Sequence, residues 1–349
     1  YEVISSITEN EDLIKVLTGQ YGDYGLPPKQ SSFAMHASVV KHYFNGGSFP
    51  IGGSSKIANT IDNVIESSKG TILVSAEVKN IIIKNNKALG VEMSDGKKFY
   101  SDLIISGTGV FQTYNHLITK DISVKHGFVN NLKKVTPSVA HGCLYLGLNG
   151  TSEELQLPKN NLWIYPDNID HDTAVENYLN DNDSDFPLVY ISFASSKDPT
   201  WQSRYPGKST IDIITLLPYE RFMKWEGTKW MKRGEDYDNL KEKITNRLIE
   251  HLYEHLPHLK GKIDTYELSS PLTTKNFVNY EKGELYGIDH TPSRFNQKFL
   301  RPKTPIKNLY LTGQDIVSAG VGGALFSGLI TAASITGINF MKKIYKKED

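Results

Sequence analysis

Cysteine is nearly absent from this sequence, since Cys143 is the only one among 349 residues. A single cysteine excludes an intramolecular disulfide and any metal cluster held by several thiolates. Apolar residues follow it through Leu148, so we expect the Cys143 thiol to lie in a protein core.

The sequence also lacks an excess of charge of either sign, because 39 lysines and arginines balance 39 aspartates and glutamates. Without a basic field, the chain has no general affinity for a nucleic-acid backbone, and we expect no nucleic-acid partner. Hydrophobic residues make up 39% and charged residues 22% of the chain, which excludes a disordered chain, a collagen-like rod and a protein with many membrane spans. A chain of this length is expected to form two lobes.

Long hydrophobic runs are missing as well, apart from the uncharged stretch 316–341. This stretch has enough residues to span a bilayer, but five glycines and several serines and threonines leave it weakly hydrophobic. The sequence therefore predicts a buried helix of a water-soluble fold rather than a membrane span.

Four lysines follow that stretch, namely Lys342, Lys343, Lys346 and Lys347. They are interpreted either as a peripheral contact with anionic lipid or, preferably, as a solvated helix end whose cations complement the helix macrodipole. No basic and then apolar leader opens the chain, which starts at Tyr1. We expect a fragment of a longer protein that is cytoplasmic or peripherally bound to a membrane.

Hydrophobic periodicity between 52 and 109 predicts one helix followed by four strands. The helix covers about 54–67, and the strands cover 71–75, 78–84, 88–93 and 103–106. Asn85-Asn86 and Asp95-Gly96 have the composition of the turns between such strands. The last strand is a short apolar run that ends in Ser106-Gly107-Thr108-Gly109, which is typical of a buried parallel strand before a glycine turn.

The middle of the chain has a different pattern and predicts a second lobe. Strands are expected over 143–148, 188–193 and 210–217. A long helix is expected over about 237–256, because leucine or isoleucine recurs there every four residues until Pro257 ends it.

Near the C-terminus the sequence again predicts a strand, over 308–312, then a glycine-rich turn over 313–323 and a helix over 324–343. Such a unit brings backbone N–H groups and the positive end of a helix to an anionic or electron-rich ligand. The turn glycines would let the backbone approach a ligand, but they would equally allow tight packing of the helix on the strand. Neither a G-x-G-x-x-G turn after an early strand nor a Walker loop accompanies the unit.

Four segments together carry a resemblance to a known family. They are Thr18-Gly19-Gln20-Tyr21-Gly22-Asp23-Tyr24-Gly25 with Pro27-Pro28, Phe49-Pro50-Ile51-Gly52-Gly53-Ser54-Ser55, Lys197-Asp198-Pro199-Thr200-Trp201 with Arg204-Tyr205-Pro206-Gly207, and Leu309-Tyr310-Leu311-Thr312-Gly313-Gln314-Asp315 with Gly323-Ala324-Leu325. On these segments the chain resembles the retinol saturase branch of the phytoene desaturase and carotenoid isomerase flavoproteins, over nearly its whole length.

The resemblance implies a two-lobe flavoprotein of the α/β (α+β) class. One lobe would be an incomplete FAD-binding dinucleotide domain made of 50–110 and 301–349. The other would be a mixed-sheet substrate domain made of 1–49 and 111–300. Members of the family begin with a G-x-G-x-x-G turn for the FAD pyrophosphate, which this chain lacks. An upstream strand, glycine turn and helix are therefore expected in the intact gene product, and the chain alone is expected to bind FAD poorly.

The resemblance also implies contacts with the outer parts of the cofactor. Val78 would face the adenine, and Gly107, Thr108 and Gly109 would form the turn near the pyrophosphate. Gly52 and Gly53 would lie against the flavin ring, the alternative for this pair being a plain turn at the start of a helix.

Further contacts are implied near the middle of the cofactor. Gly313 and Asp315 would lie near the ribityl chain, with Gln314 as an alternative partner because Asp315 stands one place later than the commonest Gly-Asp pair. Gly320, Val321, Gly322, Gly323 and Ala324 would place a helix N-terminus under the pyrimidine edge of the flavin, where the helix dipole favours the anionic reduced form.

The implied activity is hydride transfer between flavin and a carbon of a conjugated isoprenoid, as in retinol saturation, with NAD(P) as an external electron donor. Carotenoid desaturation or isomerisation is the alternative reaction. A polyene offers few hydrogen-bonding groups, so we expect an apolar tunnel that ends near the flavin face. The proton for the reaction is assigned to one of Tyr286, His290, His36 and His42, each of which is alternatively a structural hydrogen-bonding residue.

Two patterns resemble metal sites without predicting one. Asp181, Asp183 and Asp185 look like the start of a calcium loop, but Phe186 and Ser192 stand where glycine and glutamate are required. The segment 251–255 fits the H-x-x-E-H pattern of a zinc peptidase class, but it lies on the leucine-bearing face of its helix. We expect core or rim histidines and no bound metal. A zinc peptidase and a non-catalytic lipid-binding protein remain as rival functions.

Replacing His251 and His255 together by alanine should lower the free energy of unfolding by about 1–3 kcal/mol, because partly buried side chains are truncated. The variant should lose neither a metal nor redox activity. Denaturant unfolding and metal analysis of both proteins test this. Stoichiometric zinc that is present in the parent and lost in the variant would support the peptidase instead.

Overall fold

The computed structural model describes residues 1–345 of the chain. Ten strands form three sheets within this range. They are β1 (Val78–Lys84), β2 (Lys87–Met93), β3 (Lys98–Tyr100), β4 (Ile104–Ser106), β5 (His141–Asn149), β6 (Leu162–Ile164), β7 (Val189–Ser192), β8 (Lys208–Leu216), β9 (Ile263–Ser269) and β10 (Leu309–Leu311).

Helices connect and cover these sheets. They are α1 (Glu2–Ser5), α2 (Glu11–Thr18), α3 (Phe33–His42), α4 (Ser55–Ser67), α5 (Val110–Gln112), α6 (Lys120–Lys125), α7 (Phe128–Leu132), α8 (His171–Asn180), α9 (Ala194–Lys197), α10 (Trp201–Arg204), α11 (Glu235–His255), α12 (Pro271–Val278), α13 (Pro292–Phe295), α14 (Gly320–Thr336) and α15 (Phe340–Tyr345).

The largest sheet has the strand order β6-β7-β8-β5-β9, and every pair in it is antiparallel. Side chains alternate across the sheet, so that Leu144, Leu146 and Leu148 of β5 all point into one core. The same core contains Leu248 and Leu252 of α11, as the leucine spacing of that helix predicts. The sheet that was expected to be mixed is therefore antiparallel in its described strands.

A second core lies around the two smaller sheets. Strands β1, β2 and β3 form an antiparallel meander, and β4 pairs in parallel with β10. The turn between β1 and β2 is Asn85-Asn86, with φ angles of 52° and 59°, as expected of a tight hairpin. Side chains from β1, β4, β10 and the segment 110–132 meet in this core.

Asp198 links the two parts of the molecule. Its carboxylate is buried and accepts hydrogen bonds from the Gly52 N–H at 3.1 Å, from the N–H and hydroxyl of Thr200 at 2.9 and 2.8 Å, and from Arg204. Burial alone would raise the pKa of Asp198, but these donors outweigh it and bring the pKa to about 2. Two segments that carry the family resemblance thus meet at one carboxylate.

Most predicted elements are confirmed within one or two residues, and the Cys143 thiol is buried as expected. The strand expected over 71–75 is wrong, since this segment has no regular structure and its apolar side chains are exposed. His255 is also exposed rather than packed in the core, because it lies in the last turn of α11. No cluster of three metal-binding side chains occurs within residues 1–345.

The helix near the C-terminus differs from its prediction in extent and burial. It begins earlier, at Gly320, and ends at Thr336, because the next residue, Gly337, has a φ of 73° and terminates it before α15. Only Gly323, Ser327 and Thr331 are buried, so the expected burial of the helix is wrong. Among residues 1–345, no helix is both long and apolar enough to cross a membrane. Lys346 and Lys347 of the predicted lysine cluster lie outside the described residues.

Replacing Asp198 by alanine should lower the free energy of unfolding by about 1–3 kcal/mol, because four donors lose a buried acceptor. Its contribution should be complete above pH 4 and decline as the pH falls towards 2. Urea unfolding at several pH values measures this. The matched control is Asp264→Ala, which removes an exposed partner of Lys208 and should leave the stability almost unchanged. Equal effects of the two variants would contradict the assigned role.

Candidate active site

The glycine-rich turn between β10 and α14 forms one wall of the candidate site. The Ser327 hydroxyl of α14 accepts from the Gly313 N–H at 2.8 Å, and the Gln314 side chain accepts from the Gly320 N–H at 3.1 Å. A Cβ on Gly323 would lie 2.0 Å from the Ser318 carbonyl oxygen, whereas a Cβ on Gly322 would meet nothing within 4 Å. Gly323 is therefore required by internal packing, while Gly322 leaves open space beside the helix N-terminus.

A buried arginine holds this turn in place. Arg294 is 2% exposed and donates to the Gln314 carbonyl at 2.6 Å, to the Ile288 carbonyl and to His290 Nε2 at 3.0 Å. His290 Nε2 also accepts from the Ala319 N–H at 2.9 Å, so its ring is the neutral tautomer with a proton on Nδ1. Burial and the Arg294 charge lower the pKa of His290 to about 3.

Asp315 lies in the same buried region, and its hydrogen-bond partners are backbone N–H groups. Its carboxylate accepts from the Val110 N–H at 2.8 Å and from the Ile288 N–H at 3.1 Å. Burial raises its pKa against the effect of these donors and of Arg294. Both oxygens are thus bonded to the protein, while Gln314 bonds to Gly320, to the Tyr280 hydroxyl and to the Leu285 carbonyl. The side chains of Asp315 and Gln314 are therefore both occupied by contacts within the described chain and are not free to bind a ribityl chain.

A cavity of about 730 Å³ lies between this turn and α3. One side is the turn itself, from Val317 to Gly323. The opposite side is formed by α3 and the residues after it, and Tyr286, Phe295 and Asp23 complete the wall. The N-terminus of α14 therefore faces a chamber large enough for a ring system.

A second cavity of about 760 Å³ borders the first, because His42 and Tyr43 line both. It lies against one edge of the large sheet, where Trp163, Tyr190 and Lys197 form part of its wall. The two cavities together extend from the glycine turn to this sheet.

The four candidate proton donors do not lie together. Tyr286 and His42 line the first cavity. Tyr286 donates to the Gly22 carbonyl at 2.9 Å, and burial raises the pKa of its hydroxyl. His36 is buried against the Tyr24 hydroxyl at 3.1 Å, and His290 is 0% exposed behind the turn. The structure thus places two candidates at the cavity and two behind its walls.

The predicted cofactor contacts are distributed over three places. Gly320, Val321, Gly322 and Gly323 line the first cavity, with Ala324 following in the helix. Gly107, Thr108 and Gly109 follow β4, and Gly107 and Gly313 are adjacent because β4 pairs with β10. Val78 lines a separate cavity of about 570 Å³. Gly52 and Gly53 lie beside Asp198 and are not part of the cavity wall at α14.

Sequence reasoning missed Asp23, the only carboxylate in the wall of the first cavity among the described residues. Burial raises its pKa to about 6, although the Tyr43 hydroxyl and His42 act in the opposite direction. Oδ2 of Asp23 is buried without a hydrogen-bond partner in the described part of the chain. The signal in the sequence was its position between Gly22 and Gly25, two glycines in a segment of the family resemblance.

Known proteins of two kinds are similar to this chain in sequence. Protein-family models give no match. All-trans-retinol 13,14-reductase of Danio rerio is 36% identical over 345 residues, which are 96% of this chain and 56% of that protein. A second Danio rerio protein, named inactive all-trans-retinol 13,14-reductase, is 32% identical over 348 residues, with the same shares. Prolycopene isomerase 2 of an Oncidium hybrid cultivar is 26% identical over 321 residues, 88% of this chain and 50% of that protein.

Solved structures with a similar fold agree with these sequence relations. An oxidoreductase from Methanosarcina mazei has a TM-score of 0.61 at 18% identity, covering 97% of this chain and 67% of that one. A triple mutant of putrescine oxidase has a TM-score of 0.52 at 12% identity, covering 82% and 53%. These likenesses concern the fold alone and confirm the expected fold class. The chain spans about half the length of the curated relatives it matches.

Replacing Gly323 by alanine should destabilise the protein by about 1–3 kcal/mol, because the new methyl group overlaps the Ser318 carbonyl. Gly322→Ala is the matched control and should be neutral or slightly stabilising, since alanine favours the helix and meets no atom. Thermal and denaturant unfolding compare the two variants. Similar stability of both would mean that the turn is not packed as described.

Proposed function

This chain belongs to the family of retinol saturases, phytoene desaturases and carotenoid isomerases, and from that membership we propose that the protein is an FAD-dependent oxidoreductase that saturates a double bond of a conjugated isoprenoid such as retinol. The observation that carries the proposal is the cavity of about 730 Å³ whose wall is the N-terminal turn of α14. The 36% identity with a retinol 13,14-reductase supports the class of substrate.

The residues of the turn fit the ring of a flavin. The first N–H groups of α14 have no partner within the helix and point towards its N-terminal side, where the helix dipole is positive. Gly320 and Gly322 have open space where a Cβ would stand, so a flat ring has room to approach the backbone. The flavin, when bound, supplies the hydride chemistry.

The chain's own residues would position the substrate and exclude water. Apolar and aromatic side chains of the first cavity, among them Met35, Val39 and Phe295, suit a polyene, whose affinity comes from buried area. We propose that the two cavities joined at His42 and Tyr43 are the expected tunnel. The polyene end that reacts would lie at α14, and the other end would extend towards Trp163.

The remaining contacts to the cofactor are proposed to come from a dinucleotide-binding unit that docks on an exposed apolar surface. On α4, none of the residues is buried, and Ile57, Ile61 and Val64 are exposed. Ile105 of β4 and Leu325 of α14 are exposed as well, and β4 pairs only with β10 within the described chain. Parallel sheets are normally covered on both faces, so we propose that such a unit extends the sheet beyond β4. The assignments of Val78, Gly107, Thr108 and Gly109 to FAD depend on it.

Two further points of function stay proposals. NAD(P) as an external electron donor rests on the resemblance alone. Peripheral membrane contact would bring an apolar substrate to the cavities, and it rests on the proposed class of substrate alone.

An isomerase is the second candidate function, because a prolycopene isomerase is 26% identical to the chain. An isomerase interconverts cis and trans double bonds without net transfer of hydrogen. Reduction of a double bond therefore oxidises the flavin, whereas isomerisation leaves its oxidation state unchanged. The zebrafish relative named inactive shows that similarity at this level does not by itself establish turnover. The test must therefore measure flavin oxidation.

The intact flavin-loaded protein, reduced and kept anaerobic, should be reoxidised by all-trans-retinol or a carotenoid, with formation of a saturated product. Absorbance of the flavin and chromatography of the retinoid measure the two half-reactions. Gly322→Val should retain the fold but lose most of its flavin, because the side chain fills the space beside the helix N-terminus.

Three results would contradict the proposal in different ways. Isomerised polyene with a reduced flavin left unchanged would support the isomerase. Turnover of a small polar amine or alcohol, with retinoids and carotenoids inert, would remove the isoprenoid substrate but keep the flavoprotein. Purified Gly322→Val protein that is as yellow as the parent would remove the turn of α14 from the flavin site.

A further inference from the structure

We propose that Asp23 is the general acid of this active site, the group that gives the proton to the carbon adjacent to the one that receives the hydride. This assignment rests on the proposed function and deepens it. Asp23 stands in the wall of the same cavity as the N-terminal turn of α14, and one of its carboxyl oxygens is buried without a hydrogen-bond partner in the described chain.

The position of Asp23 is fixed by its neighbours on both sides. The Gly22 carbonyl accepts from the Tyr286 hydroxyl at 2.9 Å, and the Tyr24 side chain is 0% exposed with its hydroxyl 3.1 Å from His36 Nδ1. A Cβ on Gly22 would lie 2.4 Å from Leu188, so the segment packs closely against β7 and its surroundings. A carboxyl group held by such packing has little freedom to swing out into solvent.

The surroundings of Asp23 favour its neutral, proton-carrying form. The titratable groups that act on it or are acted on by it are one histidine and five tyrosines, with no lysine or arginine among them: His42, Tyr24, Tyr43, Tyr165, Tyr190 and Tyr286. Burial raises the pKa of Tyr43 to about 12, so this neighbour stays neutral at the pH where Asp23 titrates. Burial outweighs the opposite effects of the Tyr43 hydroxyl and His42, so Asp23 holds its proton to higher pH than usual.

The proposed reaction adds a hydride and a proton across one double bond of the substrate. The π bond of the substrate breaks, one of its carbons receives a hydride from a reduced flavin, and the other forms a C–H bond with the carboxyl proton of Asp23. The substrate gains two hydrogens, the flavin is oxidised by two electrons, and Asp23 is left as a carboxylate that takes a new proton from water. A group with a pKa near 6 serves this role well, because it is acidic enough to donate and is still partly protonated at neutral pH.

The four proton donors that the sequence suggested are less suited to this step. The Tyr286 hydroxyl already donates to the Gly22 carbonyl, and burial makes it a weaker acid than a free tyrosine. His290 carries its proton on a buried Nδ1 without a partner in the described chain, but it lies behind the turn and is not part of the cavity wall. Its Nε2 accepts from Arg294 and from the Ala319 N–H and so holds the turn. His36 is buried with its Nδ1 against the Tyr24 hydroxyl and does not line the cavity. His42 lines the cavity and is the rival donor that the experiment must separate from Asp23.

The experiment measures single-turnover reoxidation of the reduced, flavin-loaded full-length protein by all-trans-retinol between pH 5 and 9, in parent, Asp23→Asn, His42→Gln and Asp289→Asn proteins. The parent rate should fall about tenfold per pH unit above a midpoint near 6, since the donor must be protonated. Asp23→Asn should lose that pH dependence and about 10²–10⁴-fold in rate. Asp289→Asn is the matched control, because the pKa of Asp289 is also raised by burial, to about 7, in a different cavity.

A second readout does not involve the flavin. Carbon-13 NMR of carboxyl-labelled aspartates should show one resonance with a midpoint near pH 6 that is absent from Asp23→Asn and retained in Asp289→Asn. Unfolding by denaturant should show Asp23→Asn to be more stable than the parent at pH 7.5, with the difference shrinking towards pH 4. The parent is the less stable protein at pH 7.5 because a raised pKa means that the folded state disfavours the ionised Asp23 carboxyl, which asparagine cannot form.

The outcomes separate failure of this proposal from failure of the function. If the parent reduces retinol while Asp23→Asn keeps its rate within threefold, or if His42→Gln removes the pH dependence instead, Asp23 is not the acid. If alkylammonium ions bind in the cavity and lose affinity in Asp23→Asn with the rate unchanged, Asp23 is a cation-binding residue. If the parent reduces no retinoid or carotenoid although the Asp23 resonance titrates as expected, the proposed reaction fails, and the acid role falls with it.

Discussion

Burial of Arg294 is the constraint on which the rest of the site depends. A guanidinium that is taken out of water is costly, and the cost is met only if its N–H groups find acceptors with good geometry. Here the acceptors are the Ile288 and Gln314 carbonyls and His290, and His290 also accepts from the Ala319 N–H. The segment 288–294, the end of β10 and the start of α14 are thereby held in one arrangement.

This arrangement explains why the polar residues of the site divide into two kinds. The Asp315 carboxylate is bonded to two backbone N–H groups, and His290 Nε2 accepts from Arg294 and from the Ala319 N–H, so both residues define the shape of the turn although His290 Nδ1 has no partner in the described chain. Asp23, on the opposite wall, has a buried oxygen without a partner among residues 1–345 and a pKa raised by burial. An unsatisfied carboxyl lowers the stability of the native state, and such a residue is retained most readily where chemistry requires it.

The sequence predicted local structure well where neighbours in the chain decide it. The Asn85-Asn86 turn, the leucine spacing of α11 and the position and parallel pairing of the strand before Gly107 appear as expected, because turn chemistry and side-chain periodicity act within a few residues. The expected burial of that strand is wrong at Ile105, which is exposed. The strand expected at 71–75 and the burial of α14 failed for one reason. Their apolar residues need a partner surface, and within the described chain none covers them.

The sequence by itself determined most of the longer elements, the family and the glycine-rich turn, since these depend on local patterns and on short motifs. Only the tertiary structure decided which candidates share a cavity. His290 and His36 are buried behind the cavity wall, and the Gly52 N–H is bonded to Asp198. Asp23 lies across the cavity from the turn of α14. The reason is physical, because pKa values and unpaired oxygens arise from burial in the folded chain, where segments distant in sequence pack together, as Tyr286 does on Gly22, and no local pattern records this.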